Sequence, residues 1–519
     1  MYNIRDQKGT LAENGKLRRK CLTDSPLIIN LFGGYEMNTK KILAGVMALS
    51  LTAALTACGN NGSDSGETTT EATTTTMATV AVNTEGLKDE EQESLSSVLD
   101  QLPDVELANK EIKWLAHYDL NPSSDGSSKK VELELFEQKY GGKITYIPTT
   151  WESRYDDLST NVLGGTGVDF FPGDDANNYP KGIINGMFQS VDDYIDLDSA
   201  IWQNVSAAMD LYKFGGKHYQ FVTGVTAEQV VIYDTSTLEA QGFDDPWELY
   251  QKGEWNWDTF KQMLLDFVDP DADQYGLDNW FNEKALYLSA GVPTVSVGED
   301  GHLVCNVNNA TVEKAMNYQY ELYQNGLVLP LEQFNWSIQP QFMGEGKELF
   351  WLNGTWGIQG DPATWTIGIE PQNLGIAPVP SPEGSDPYQS AVVNGYALCK
   401  GAANPEGVAR FAECVIVANN DPATIAISDR KAMDDSQWSE DIIARVKEIN
   451  ELTRQYPVVD LASGCSSDIA SITTDGGSEM GTRAPFHGTD WATMRETIAD
   501  TLIMLVDEVD QKLQEATAE

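Results

Sequence analysis

The chain has 519 residues, 41% hydrophobic and 22% charged, which is ordinary globular composition with length for two or three domains. Its 34 Lys+Arg stand against 79 Asp+Glu, a net charge of −45, which repels phosphate backbones and anionic surfaces and argues against a nucleic-acid partner. The six cysteines make no CxxC and no Cys/His cluster, so neither a metal site nor a redox motif is expected, and no cofactor is implied.

Residues 1–36 contain no apolar run of their own and read as a non-native upstream extension. Residues 37–57 have the pattern of a secretion signal: Met37-Asn38-Thr39-Lys40-Lys41, an apolar run from Ile42 to Leu55, then small residues, too short for a confident membrane span. The ending Leu55-Thr56-Ala57-Cys58-Gly59 looks like a bacterial lipobox, which implies cleavage before Cys58, lipidation of that residue with acyl chains such as palmitate, and anchoring at the outer face of the cytoplasmic membrane. Removing residues 1–57 takes away eight Lys/Arg and four Asp/Glu, leaving 26 against 75 and a net charge of −49. From Gly59 to about Thr84 the residues are mostly Thr, Ser, Gly, Asn and Glu, which cannot bury enough surface to offset ordering, so 58–110 is expected to be a flexible tether with a short helix through Leu95, Val98, Leu99 and Leu102.

Folded sequence is expected from the strand Ile112–Ala116, followed by a helix with Leu133, Phe136 and Tyr140 on one face that stops at Gly141-Gly142. A strand over Lys143–Ile147, a helix over Arg154–Leu163 stopped by Gly164-Gly165, and a strand over Val168–Phe171 complete a strand–helix–strand–helix–strand order, which implies a parallel sheet. Ligands of open parallel sheets bind beyond the carboxyl ends of the strands, so the loops after Ala116, Ile147 and Phe171 form a candidate site. The stretch Tyr233–Gln359 reads mainly helical, with Trp257–Phe267 and Val312–Asn325 clearest. A strand at Tyr396–Leu398, a helix from Pro405 and an amphipathic helix from Trp491 to about Leu513 close the chain.

Several passages together, in order and spacing, resemble the family-one extracellular solute-binding proteins of ABC importers, the group that includes the maltose-binding proteins. They are Trp151-Glu152-Ser153-Arg154-Tyr155 leading to Gly167-Val168-Asp169; Gly216-Lys217-His218-Tyr219; Val231-Ile232-Tyr233-Asp234; Gly253 to Phe260; Asn353-Gly354-Thr355-Trp356; and Asn394-Gly395-Tyr396 running into Asn404-Pro405-Glu406. The resemblance implies an α/β, two-lobed periplasmic-binding-protein-like fold with hinge crossings between lobes. Lobe one would be 111–225 and 398–455, and lobe two 228–393 and 460–519, with crossings near Thr223–Ala227, Tyr396–Leu398 and Tyr456–Asp460. It further implies a monomer that captures a sugar or oligosaccharide between closing lobes and delivers it to ABC permease subunits in the membrane, without catalysis.

Sugar sites pair aromatic platforms with carboxylate, amide and Arg partners. His117 and Tyr118 after the first strand, Trp151 after the second, and Asp174 and Asp175 after the third are placed by topology, although Trp151 also fits a helix-start staple and Asp174-Asp175 a solvated turn. The resemblance adds Trp356 and the helical pair Trp491 and Arg495, which match stacking and polar groups in the relatives; Trp491 equally suits the core stripe continued by Ile498. Trp280 is a further candidate in lobe two. The family's hinge carboxylate aligns with Ala227, so Glu228 beside it is the substitute, while Trp255 and Trp257 lie in a helix-start pattern that Asn256 or Asp258 can cap. Rival readings are a binding protein for a peptide or polyamine, a glycoside-active enzyme with a spatially defined carboxylate pair, and a surface adhesion or sensory module. The four histidines show no triad order or metal spacing.

Overall fold

In the computed structural model, residues 95–121, 129–175, 177–278, 282–335, 337–473, 480 and 488–518 are described. The signal segment, Cys58, residues 58–94 and Trp280 lie outside them. Apolar side chains at Ile112, Trp114, Leu115 and Ala116 make Glu111–Ala116 a buried strand, β1. The helix Val131–Tyr140 buries Val131, Leu133, Leu135, Phe136 and Tyr140 on one side and ends at Gly141. After β2 (Lys143–Pro148) the helix Arg154–Leu163 leads to β3 (Phe170–Pro172). The strands β2, β1 and β3 are parallel neighbours, with Trp114 opposite Tyr146 on one side and Phe170 on the other. The strand–helix alternation in the sequence therefore produces the expected parallel sheet.

A hairpin of β4 (Lys213–Phe214) and β5 (Lys217–His218) precedes the long strand β6 (Gln220–Ala227). β7 (Val230–Asp234) begins a second region, where β8 (Val295–Val297) and β9 (Leu303–Cys305) form a hairpin and β10 (Trp351–Asn353) and β11 (Leu374–Ala377) flank β7 in an antiparallel sheet. This stretch was expected to be mainly helical. It carries the helices Trp257–Phe267 and Ala310–Gln324, but Val230–Tyr233 and Trp351–Leu352 are short apolar runs that periodicity alone does not separate from helix. Asn256 caps the first of those helices through the Asp258 and Thr259 amides, and Trp255 and Trp257 are buried.

The chain then returns. β12 (Gln389–Leu398) runs antiparallel to β3 and to β6, and β13 (Pro457–Val458) joins its beginning in parallel. Three segments lie side by side where the two sheet regions meet: Ala227 pairs with Ala391, the Glu228 amide donates to the Ser390 carbonyl at 2.9 Å, and the Gln389 amide donates to the Tyr456 carbonyl at 3.0 Å. The helix Trp491–Thr517 buries Trp491, Met494, Ile498, Leu502, Val506, Val509 and Leu513. Ahead of β1, Leu95, Val98, Leu102 and Leu107 are buried in the same core, the Gln101 amide reaches Asp421 at 2.7 Å, and the Tyr140 hydroxyl donates to the Pro103 carbonyl at 3.1 Å. Residues 95–107 are therefore packed onto the body rather than trailing from it. Among the described residues no helix is long and apolar enough to cross a membrane.

Candidate functional site

The carboxyl ends of β1, β2 and β3 carry His117 and Tyr118, Trp151, and Asp174 and Asp175 respectively. At the end of β3 the backbones crowd: the Gly173 amide donates to the Gly395 carbonyl at 2.9 Å, and a Cβ on Gly173 would stand 2.7 Å from Gln220 Cδ and the Gly395 backbone. Only glycine fits there, and the close approach brings the loop carrying Asp174 against β6 and β12.

Trp151 stands clear of the helix it precedes, with half of its surface (50%) open. Its other face is covered by the Arg154 guanidinium, 3.5 Å from the ring centroid, and Arg154 also donates to the Trp151 carbonyl. The guanidinium is itself fixed by Asp175, Nε to Oδ2 at 2.5 Å, with both side chains almost wholly buried. Asp175 Oδ1 accepts the Asn177 amide at 3.0 Å and its side-chain Nδ2 at 3.1 Å. Burial opposes ionisation of Asp175, but the hydrogen bond and charge of Arg154 outweigh it and hold its pKa below the usual carboxylate value. Asp175 is thus committed to holding Arg154 under the indole, a role that residue spacing could not reveal.

The His117 ring meets Trp151 edge-on at 5.0 Å and 82°, and Tyr118 at 5.0 Å and 81°. Burial, reinforced by the Arg154 charge, lowers the His117 pKa, so the imidazole is neutral at pH 7 and can both donate and accept. Tyr118 is 37% exposed, and its carbonyl accepts the Trp114 indole N–H at 2.9 Å. Burial, with the charges of Asp174 and Asp175, raises its pKa, which keeps the phenol a donor. Asp174 is reachable by solvent, yet its carboxyl is ringed by protein, and this loss of hydration lifts its pKa to about 6.

On the opposite side, Glu228 follows β6. Its carboxylate accepts from the Lys284 ammonium and from the Ser390 hydroxyl. Gly354 sits beside it: a Cβ there would stand 2.2 Å from Trp356 Nε1 and 3.1 Å from the Glu228 carbonyl oxygen, so the missing side chain lets the indole lie back, with 56% of it exposed. The buried Tyr212 packs its ring against Tyr179 and Phe214. Burial first, then the charges of Glu228, Asp174 and Asp175, raise its pKa and keep the phenol protonated.

His117, Tyr118 and Trp151 thus meet ring to ring, with Asp175 joined to Trp151 through Arg154 and Asp174 next to it in the same loop, while Glu228 and Trp356 are neighbours at Gly354. Trp491 and Arg495 stand differently. Trp491 is 1% exposed in the core stripe with Met494 and Ile498, its indole N–H has no hydrogen-bond partner among the described residues, and Arg495 pairs with Glu313 at 3.1 Å. Sequence reasoning did not select Arg154, Lys284, Ser390 or Tyr212. Only Arg154 left a signal, one helical turn beyond Trp151 and inside the passage Trp151–Tyr155.

Residues 121–418 match a protein-family model described as bacterial extracellular solute-binding protein. No curated protein matches the sequence significantly. Among solved structures, the chain is similar to the galacto-N-biose-/lacto-N-biose I-binding protein of an ABC transporter from Bifidobacterium longum in complex with lacto-N-biose (TM-score 0.55, 15% identity, covering 78% of this chain and 99% of that one). It is also similar to an ABC substrate-binding protein from Listeria monocytogenes in complex with cycloalternan (TM-score 0.54, 14% identity, 78% and 98%). A third is the cyclic alpha-maltosyl-1,6-maltose binding protein from Arthrobacter globiformis (TM-score 0.52, 13% identity, 78% and 98%). The likeness is one of fold, the two-lobed α/β fold of solute-binding proteins that the sequence led us to expect.

Proposed function

Since the chain belongs to the bacterial extracellular solute-binding protein family, we propose that it captures a sugar or oligosaccharide between two closing lobes and hands it to the membrane permease of an ABC importer. The observation that carries the sugar reading is the Trp151 platform: an indole half open, backed by a fixed guanidinium and met edge-on by a neutral imidazole, which in turn meets the Tyr118 ring. A pyranose offers a flat C–H face edged by hydroxyls, and such a surface matches both parts. The exposed Trp356 side chain supports a second contact from the other lobe.

The hinge of this reading is the set of adjacent strands at Ala227, Gln389–Ala391 and Pro457–Val458. Lobe one is then 111–225 with 398 to about 435, and lobe two 228–393 with 460–519; the helix Glu440–Gln455, which the resemblance assigns to lobe one, instead packs with β7, β10 and β11 through Ile442, Ile443 and Ile449, with Arg445 donating to the Tyr233 hydroxyl at 2.8 Å. A ligand touching both lobes favours the closed form in proportion to its differential affinity. Asp174 serves as a hydroxyl acceptor, while Asp175 and Glu228 are each held by a cation and do not act as a hydrolytic pair. Attachment is through lipidated Cys58 at the outer membrane face, and the working unit is a monomer.

Titration calorimetry with neutral oligosaccharides, paired with chromatography of the ligand afterwards, tests the proposal. Saturable binding of uncleaved sugar supports it, whereas turnover makes the protein an enzyme. Loss of sugar uptake on deletion separates an importer component from a sensor.

A further inference from the structure

Four cysteines fall among the described residues, and all four carry free thiols: Cys399, Cys414 and Cys465 are buried and Cys305 is partly exposed. Cys399 follows β12 and Cys414 lies inside the helix Pro405–Asn420, each wholly buried. The other two lie on segments that backbone pairing joins. Cys305 is the cross-strand partner of Val295, so their side chains share one face of the β8–β9 hairpin. The Val295 carbonyl accepts the Leu461 amide at 3.0 Å, and the Asp460 carboxylate accepts the Thr294 and Val295 amides, each at 3.0 Å. One helical turn beyond this junction, the helix Ala462–Cys465 ends on Cys465, inside the apolar cluster that holds Val295 and against which Cys305 packs.

From this placement we propose that Cys305 and Cys465 are a disulfide site, closed outside the cell to fasten the β8–β9 hairpin to the chain that follows β13. Family membership puts the protein where disulfides persist, and no redox chemistry of the solute site is involved. The oxidant is an exogenous disulfide. The partly exposed Cys305 thiolate attacks one of its sulfurs and expels a thiolate; the Cys465 thiolate then attacks the Cys305 sulfur, forms the internal bond and expels the second. The two protons lost by the cysteines pass to the two released thiolates, so the exchange balances. Burial raises both thiols, with Asp460 and Asp507 adding for Cys305, and Asp460 and Cys305 adding against Lys181 for Cys465. Thiolate is therefore scarce at neutral pH, and closure accelerates as pH rises. The junction lies just past the third strand of the hinge, so the bond stiffens one lobe internally without crossing between lobes.

The test is to incubate the full chain with oxidised glutathione at mildly alkaline pH, follow the intact mass and digest without reduction. The expected result is loss of two hydrogens, a linked peptide pair containing Cys305 and Cys465, unlinked Cys399 and Cys414, and a melting temperature several degrees higher. Cys305→Ser, a change at a partly exposed position, removes both the link and the rise in melting temperature, and a Cys305→Ser/Cys465→Ala double variant melts like the reduced protein. A stable glutathione adduct on Cys305, or both cysteines recovered as free thiols after unfolding, overturns the assignment. The peptide map is read on the unaltered chain, so the outcome does not depend on a variant folding.

Discussion

Trp151→Ala removes the platform on which the sugar reading rests. A tryptophan presents roughly 150–250 Å² when fully covered, and half of this one is open, so a stacked sugar ring covers about 100 Å². At ~25 cal/mol per Å² that area contributes about 2.5 kcal/mol, or roughly 60-fold in Kd. The same truncation uncovers the Arg154 guanidinium and forfeits a partly exposed cation–π contact of about 0.5–1 kcal/mol, a modest loss of stability. Calorimetric titration of the wild type and the variant with one oligosaccharide, with urea unfolding beside it, separates the two effects. Trp151→Phe, which keeps a smaller platform, falls between. An affinity unchanged within twofold in folded Trp151→Ala refutes the stacking argument, whatever else the protein binds.

Arg154→Ala leaves Asp175 buried and unpaired and is expected to cost about 3–5 kcal/mol in urea unfolding; a loss below about 1 kcal/mol means the pair is more hydrated than its burial implies. Because the Asp175 pKa is depressed, the pair's contribution is present above the ordinary carboxylate value and disappears as pH falls through the lower folded value, so Arg154→Ala and wild type converge in acid. Asp174 has the opposite sign. Its pKa is raised to about 6, so the folded state holds a proton that the unfolded chain has released, and stability declines as pH climbs from about 4 towards and through 6. Melting curves of Asp174→Asn should lack that decline; an identical slope contradicts it. Trp491→Ala should lower stability by about 3–5 kcal/mol as a core truncation, while Trp491→Phe leaves sugar affinity within twofold; a larger loss of affinity in Trp491→Phe puts the indole in the site.

Local signals carried the first half of the fold well. The helix Arg154–Leu163 and the strands around it follow directly from periodicity and from the glycine pairs that stop the helices. β12 was legible only over its last residues, because Asn394-Gly395 interrupts the apolar pattern and the rest of the strand is held by pairing with β6. At the site, topology placed Trp151 and His117, since residues beyond parallel strand ends converge whatever their neighbours. What made Trp151 a platform was invisible: Arg154 is close in sequence, but Asp175, which fixes it, lies on another loop. Lys284 reaches Glu228 from a helix far along the chain, and no pattern in either segment announces the pair. For Trp491 and Arg495, helical spacing put both on neighbouring positions but could not say which side the core takes. The stripe Trp491, Met494, Ile498 and Leu502 turns inward, and Arg495 sits at its margin.

The most direct test of solute capture is a thermal-shift titration against neutral mono- and oligosaccharides, with peptides and polyamines in parallel, because a ligand bound only by the folded state raises its melting temperature in proportion to RT ln(1 + [L]/Kd). Sugar capture predicts a saturable rise with at least one neutral saccharide that Trp151→Ala weakens. A rise with a peptide or polyamine and with no saccharide contradicts it.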